Sequence, residues 1–294
     1  ALATPPAEGV RPTWVDRPRD ACGDLLAHDT DLPSPESPLP PDPTPPRHTE
    51  GHSLDQVPGN ADGPIRTGID MSSRESLLEG LPPLPMSPGE GRSMEWAEGP
   101  HDTCNYILPG RLLAGSYPGS KAEPDHSSKI LACLVAGVDT FVCLQEREEL
   151  RRFTPYVARA RELHAALEAS GRGELEFLLC EIPDGYVTSR HCLALAVVTL
   201  VRRLREGRTV YVHCWGGHGR TGTLVCAFLA AAYGLTANEA KDFFMAAHSR
   251  RRVRGGGGPG YWPHCKEQFK QVQSFEGRCG ELPEEEELGS LEAW

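Results

Sequence analysis

Along residues 104–277 the apolar positions follow two periods. Residues 138–144, 175–182 and 209–212 are short runs of β-branched, aromatic and aliphatic residues, the pattern of buried strands. Longer stretches with apolar residues every three or four positions lie between them. Ile130, Leu131, Leu134 and Val135 share a face in 127–136, as do Leu163, Ala166 and Leu167 in 156–170. Leu193, Ala196, Val197, Leu200, Val201 and Leu204 do the same in 189–205. These are amphipathic helices, and Gly137, Gly171 and Gly207 stop them. Two short strands about the Pro109–Gly110 turn precede them, and the charged stretch 145–152 reads as a loop with a helical turn. An apolar helix begins near Leu224. A helix over 236–248 follows, with Thr236 and Glu239 spaced as a capping box, and a last helix spans 263–275. Strands alternating with helices predict an α/β domain, a central and mostly parallel sheet flanked by helices. Its ligand is expected beyond the carboxyl ends of the strands.

The flanks lack this patterning. Residues 1–103 hold 19 of the 27 prolines and 7 Lys/Arg against 18 Asp/Glu. Such a composition cannot bury a core. Residues 278–294 hold 1 basic and 6 acidic residues. The expected organisation is a disordered Pro/acid-rich region over 1–103, a folded domain over 104–277 and an acidic disordered tail over 278–294. The segment 81–85, Leu-Pro-Pro-Leu-Pro, is a candidate polyproline docking site, with a plain linker as the alternative. The chain's net charge of −11 resides in these flanks, because residues 104–277 hold 22 basic and 17 acidic residues. A mildly basic domain suits a phosphorylated ligand and gives no reason to expect nucleic acid. No run of about 20 apolar residues suggests a membrane span. The ten cysteines show no metal-ligand spacing, so neither metal nor cofactor is expected. The chain opens on Ala1, which leaves room for a removed targeting segment.

The chemistry concentrates at 209–222. The strand ends on His213 and Cys214; then come Trp215, Gly216, Gly217, His218 and Gly219, and a helix starts at Arg220, Thr221 and Gly222. A glycine-rich turn at a helix N-terminus can point its N–H groups at a tetrahedral oxyanion. Residues 215–219 would line that cradle, and Arg220 offers a planar fork for two of the anion's oxygens. The same surroundings favour a thiolate at Cys214. A buried cysteine ending a core strand would explain neither the arginine nor the spacing.

This His-Cys-x5-Arg-Thr-Gly stretch resembles the signature loop of the cysteine-dependent protein tyrosine and dual-specificity phosphatases. The likeness extends over about 104–276, including 111–119 (Arg-Leu-Leu-Ala-Gly-Ser-Tyr-Pro-Gly). It implies a protein tyrosine phosphatase-like fold, with 104–277 as the catalytic domain, and attack of Cys214 on phosphorus to form a cysteinyl-phosphate. It also implies a phosphorylated protein as substrate. A thiol that must stay reduced points to the cytoplasm or another reducing compartment such as the nucleus. The resemblance further implies an aspartate as general acid on a mobile loop. Asp184, 30 residues before Cys214 in the turn Pro183-Asp184-Gly185, is the candidate. The alternative for Asp184 is a cap for the following helix; Asp139 and Glu181 are rivals for the acid. Thr221 would donate to the departing sulfur, or satisfy backbone at the helix entry.

His213 is expected to orient loop carbonyls rather than shuttle protons. His218 is either a pH-sensitive charge near phosphate or a plain loop residue, and Trp215 is expected to pack on a wall of the loop. Relatives place a water-positioning glutamine near Gln268. The arginine run 250–254 would attract acidic substrate segments, remain a solvated loop, or latch the acidic tail. The loop has no lysine, which disfavours phosphoinositides without excluding a non-protein phosphoester. Two other classes compete: an inactive phosphopeptide-binding module, and a rhodanese-type sulfurtransferase. The first needs no nucleophile, and the second does not need Arg220, Thr221 or an upstream acid.

Overall fold

The structure, a computed structural model, describes residues 79–85, 94–167, 173–253, 262–277 and 289–294. The chain divides into two units, 1–65 and 66–294; the first lies outside the described residues. The second is α/β, as the alternation predicts. Strands β1 (Cys104–Leu108), β2 (Leu112–Gly115), β3 (Thr140–Cys143), β4 (Glu176–Leu179), β5 (Val210–His213) and β6 (Glu292–Ala293) form one sheet in the order β1-β2-β5-β3-β4-β6. The four central strands are parallel, and β1 and β6 close the edges antiparallel.

Seven helices flank the sheet among the described residues: α1 (Asp125–Val135), α2 (Arg147–Leu150), α3 (Val157–Leu167), α4 (Arg190–Arg205), α5 (Gly219–Tyr233), α6 (Ala237–His248) and α7 (Lys266–Gln273). Strand periodicity sorts the core between the two faces. Leu112, Ala114, Val142, Leu178, Val210 and Val212 pack with α4–α7. Leu113, Phe141, Phe177 and Tyr211 pack with α1 and α3. Helix α5 is buried along its whole length, which explains its almost unbroken apolar run. The Thr236–Glu239 capping box is formed.

The expected boundaries are corrected at both ends. Order does not begin at Cys104. Met94 and Ala97 are core residues and Trp96, Leu81 and Leu84 pack against that core; Trp96 lies 6.3 Å from the Phe243 ring. The Leu-Pro-Pro-Leu-Pro segment lies on its own domain, where Tyr233 Oη donates to the Pro82 carbonyl at 2.7 Å. A few well-spaced apolar residues suffice to dock a proline-rich segment, and overall composition does not reveal them. At the other end, β6 pairs with β4, Arg147 reaches Glu292 at 2.5 Å, and Trp294 stands edge-on to Tyr156 at 5.2 Å. Removing residues 1–100 therefore strips apolar cover from the core. The expected loss is about 3–6 kcal/mol, a fall in melting temperature on the order of 10 °C relative to a chain starting at residue 79. Equal melting temperatures for the two truncations would show that this cover contributes nothing.

Candidate active site

Parallel strands bring their carboxyl ends to one edge, and the register aligns Gly115, His213 and Cys143 there. The segments leaving β2, β4 and β5 thus converge with Phe153 and His264 on a cavity of about 530 Å³. Cys214, buried, is in its wall with Trp215, Gly216, His218, Gly219, Arg220 and Asp184. The turn needs glycine for steric reasons. Gly217 has φ +73°, and a Cβ there would fall into the backbone of Gly115. A Cβ on Gly222 would strike the Trp262 ring.

Arg220 is only 2% exposed. Its guanidinium is held by Glu149, with Nη1 on Oε2 at 2.5 Å and Nη2 on Oε1 at 3.0 Å. Nη1 also donates to the Ile182 carbonyl at 3.2 Å. Nη2 lies 2.9 Å from Asp184 Oδ1. Glu149 is 5% exposed and receives a further hydrogen bond from Gln145 Nε2 at 2.8 Å. This bidentate pair presets the arginine plane, and the carboxylate raises the guanidinium's proton affinity against the cost of burial. Glu149 was not foreseen. Its segment reads as a charged surface turn, and only folding inserts this carboxylate beneath the loop.

The acid candidates separate by position. Asp184 lies on the cavity wall, its side chain 61% exposed. The cap of α4 is instead Ser189, which accepts from Cys192 N at 3.1 Å. Asp139 precedes β3, at the sheet edge opposite Cys214, and pairs with Arg208 at 3.3 Å; burial raises its pKa. Glu181 accepts from the backbone N of Arg147 at 3.0 Å and pairs with that side chain at 3.4 Å.

The loop's own side chains have distinct settings. Burial lowers the pKa of His213 to about 3, so it is neutral near pH 7, with Nε2 2.7 Å from Tyr156 Oη. His218 is lowered to about 4, mainly by burial and then by Arg251 and His264. Its Nδ1 is 2.7 Å from His248 Nε2. Burial and the neighbouring cations thus favour the neutral ring. Trp215 is 55% exposed and meets Phe153 edge-on at 5.9 Å, with Tyr117 4.8 Å beyond Phe153. Thr221 is fully buried, and its Oγ1 has no hydrogen-bond partner among the described residues.

The arginine run is not one patch. Arg250 is exposed and Arg254 is outside the described residues. Arg252 pairs with Glu98 and Asp102, both at 2.5 Å. Arg251 is buried and donates to the carbonyls of Ala114, Gly216 and Gly217 at 3.0, 3.2 and 3.1 Å, and to Asn105 Oδ1 at 2.7 Å. In a trans peptide N–H and C=O point in opposite directions. Holding these carbonyls therefore turns the Gly217 and His218 N–H groups the other way. Nothing in the run distinguishes Arg251 from its neighbours until the chain is folded.

The family model PTP-SAK, described as a Swiss Army Knife protein, DSP-PTPase phosphatase domain, matches residues 101–255, just over half of the chain. The chain belongs to the dual-specificity and protein tyrosine phosphatase family. As a member of it, the chain carries a phosphatase domain, and that domain contains both Cys214 and Asp184. A protein of Invertebrate iridescent virus 3 whose name assigns it to the tyrosine phosphatases, 067L, is 34% identical over 84 residues, 28% of this chain and 35% of its own. The Schizosaccharomyces pombe phosphatidylinositol 3,4,5-trisphosphate 3-phosphatase ptn1 is 45% identical over 49 residues, 17% of this chain and 13% of its own. The chain thus matches about a third or less of the length of these curated relatives. Among solved structures, Tk-PTP in its active form has a TM-score of 0.42 and 25% identity, covering 57% of this chain and 92% of that one. Among the described residues no helix is long and apolar enough to cross a membrane.

Proposed function

We propose that the domain hydrolyses phosphomonoesters of proteins, phosphotyrosine foremost, through a cysteinyl-phosphate on Cys214. The observation that carries this is the convergence of Cys214, Arg220 and Asp184 on one cavity, with Asp184 Oδ1 2.9 Å from Arg220 Nη2. The phosphoryl group sits in the cradle of residues 215–219, its oxygens on loop N–H groups and on Arg220. The Cys214 thiolate attacks phosphorus as the P–O bond to the leaving group breaks. The Asp184 carboxyl gives its proton to that oxygen. Water then attacks phosphorus, Asp184 takes its proton, and sulfur departs as thiolate, accepting a hydrogen bond from Thr221. Inorganic phosphate is released. His213, neutral and tied to Tyr156, supports the loop.

The walls favour an aryl ester. Tyr117, Phe153, Trp215 and Val253 line the cavity, and among the described residues the cations in its lining are Arg220 and Arg251, both engaged with protein partners. A phenyl ring gains from such walls, whereas several phosphates on one inositol ring call for additional cations. The ptn1 match is the specific observation favouring a phosphoinositide. The test measures phosphate release from a phosphotyrosine peptide, a phosphothreonine peptide and a short-chain phosphoinositide, with sulfur transfer from thiosulfate as a control. Fastest turnover is expected on phosphotyrosine. Preference for the phosphoinositide would replace the substrate class. Phosphopeptide binding without turnover would leave a binding module, and thiosulfate turnover a sulfurtransferase.

A further inference from the structure

We propose that Gln268 and Gln271, three residues apart on one face of α7, are positioning residues for the Asp184 loop, and that Gln268 does not orient the attacking water. The inference rests on the phosphatase reading for its kinetic consequences, and on hydrogen bonds alone for the anchoring itself. Gln268 is fully buried. Its Oε1 accepts from the backbone N of His264 at 2.9 Å, and its Nε2 donates to the Tyr186 carbonyl at 3.1 Å. Gln271 Nε2 donates to the Thr188 carbonyl. The amide of Gln268 therefore joins two segments that meet at the cavity, the Asp184 loop and His264, while Gln268 itself is not part of the cavity wall.

The loop is held along its length. Arg220 takes the Ile182 carbonyl at 3.2 Å. Tyr186 N donates to the Pro183 carbonyl at 3.1 Å, closing a turn about Asp184 and Gly185, and Gly185 has the φ of +75° that the turn requires. The two glutamines hold the Tyr186 and Thr188 carbonyls behind it. A general acid works only within hydrogen-bond reach of the leaving oxygen, and a shift of about 1 Å can cost up to about 10²-fold. Two amides fixed to a packed helix set that position. These bonds anchor the rear of the acid loop, which the family resemblance implies is mobile.

The decisive variant is Gln268→Met, which keeps side-chain length and removes both hydrogen bonds. Turnover of phenyl phosphate, a poor leaving group, is expected to fall about 10–100-fold, and that of 4-nitrophenyl phosphate by clearly less. In an Asp184→Asn background Gln268→Met should cost nothing further, because the acid it positions is gone. Additive losses in the double variant, with phosphoenzyme accumulating in rapid-quench experiments, would assign Gln268 to the water step and overturn the proposal. Amide hydrogen exchange over residues 183–189 reads the anchorage independently of turnover. Faster exchange in Gln268→Met is expected; unchanged protection would overturn the anchoring. Gln271→Met, at a half-buried position, should shift both readouts in the same direction and serves if Gln268→Met does not fold. A wild type inactive on both substrates would sink the phosphatase reading, and the exchange result would still decide the anchorage.

Discussion

Cys214→Ser loses turnover by a factor on the order of 10⁴–10⁶ while the domain stays folded. The size follows from the chemistry. A hydroxyl is a far weaker acid than a thiol, so the variant presents no anionic nucleophile to phosphorus. The fold should survive because the change replaces one small buried atom by another. The cradle is built by other residues: Gly217 pressed on Gly115, Arg251 on the loop carbonyls, Glu149 on Arg220. Phosphopeptide affinity should therefore persist in the variant, which separates loss of chemistry from loss of the site. The checks are steady-state phosphate release, a thermal melt and a phosphopeptide titration. Activity above a few per cent of wild type, in protein that melts normally, would remove Cys214 from the role of nucleophile.

The second large effect is expected at Asp184. General acid assistance is worth about 10²–10⁴-fold. Asp184→Asn should therefore slow phosphotyrosine and phenyl phosphate by roughly that factor, and 4-nitrophenyl phosphate, whose leaving group needs little help, by clearly less. Asparagine keeps the shape of the side chain and loses the transferable proton. The structure adds a competing explanation. Asp184 is ion-paired to Arg220 at 2.9 Å, so its removal also changes the charge that an incoming phosphate meets. The two explanations part on the leaving group. An electrostatic role weakens all substrates alike through Arg220, whereas an acid acts on the departing oxygen. Equal losses on all three substrates would make Asp184 an electrostatic partner of Arg220 and leave the acid unassigned.

Much of the domain was legible because it depends on local patterns. The strand-helix alternation gave the α/β class, since β5 and α5 must bury what they carry whatever they pack against. The cap at Thr236 and the turn at Pro109–Gly110 are set by neighbours in sequence. So is the loop from His213 to Gly222, whose glycines, cysteine and arginine lie within one turn. The expectation that His213 is structural follows from its place at the end of a buried strand.

What stayed illegible depends on residues that meet only after folding. Glu149 stands 71 positions from Arg220, and Arg251 holds the carbonyl of Ala114 across 137. As charged residues in charged stretches they look like solvated surface, and only the cavity edge converts them into buried partners. The same holds for Gln268, whose amide acts on a carbonyl 82 positions away. Met94, Trp96 and β6 lie in segments whose average composition argues against order, yet order there needs only a few apolar side chains and one free strand edge. Local sequence determined the elements and the residue order of the 213–222 loop, because both are set within a few residues. Tertiary structure decided which charges are buried, which carboxylate faces the cavity and where the domain ends. Those depend on desolvation and on partners that the folded sheet alone brings together.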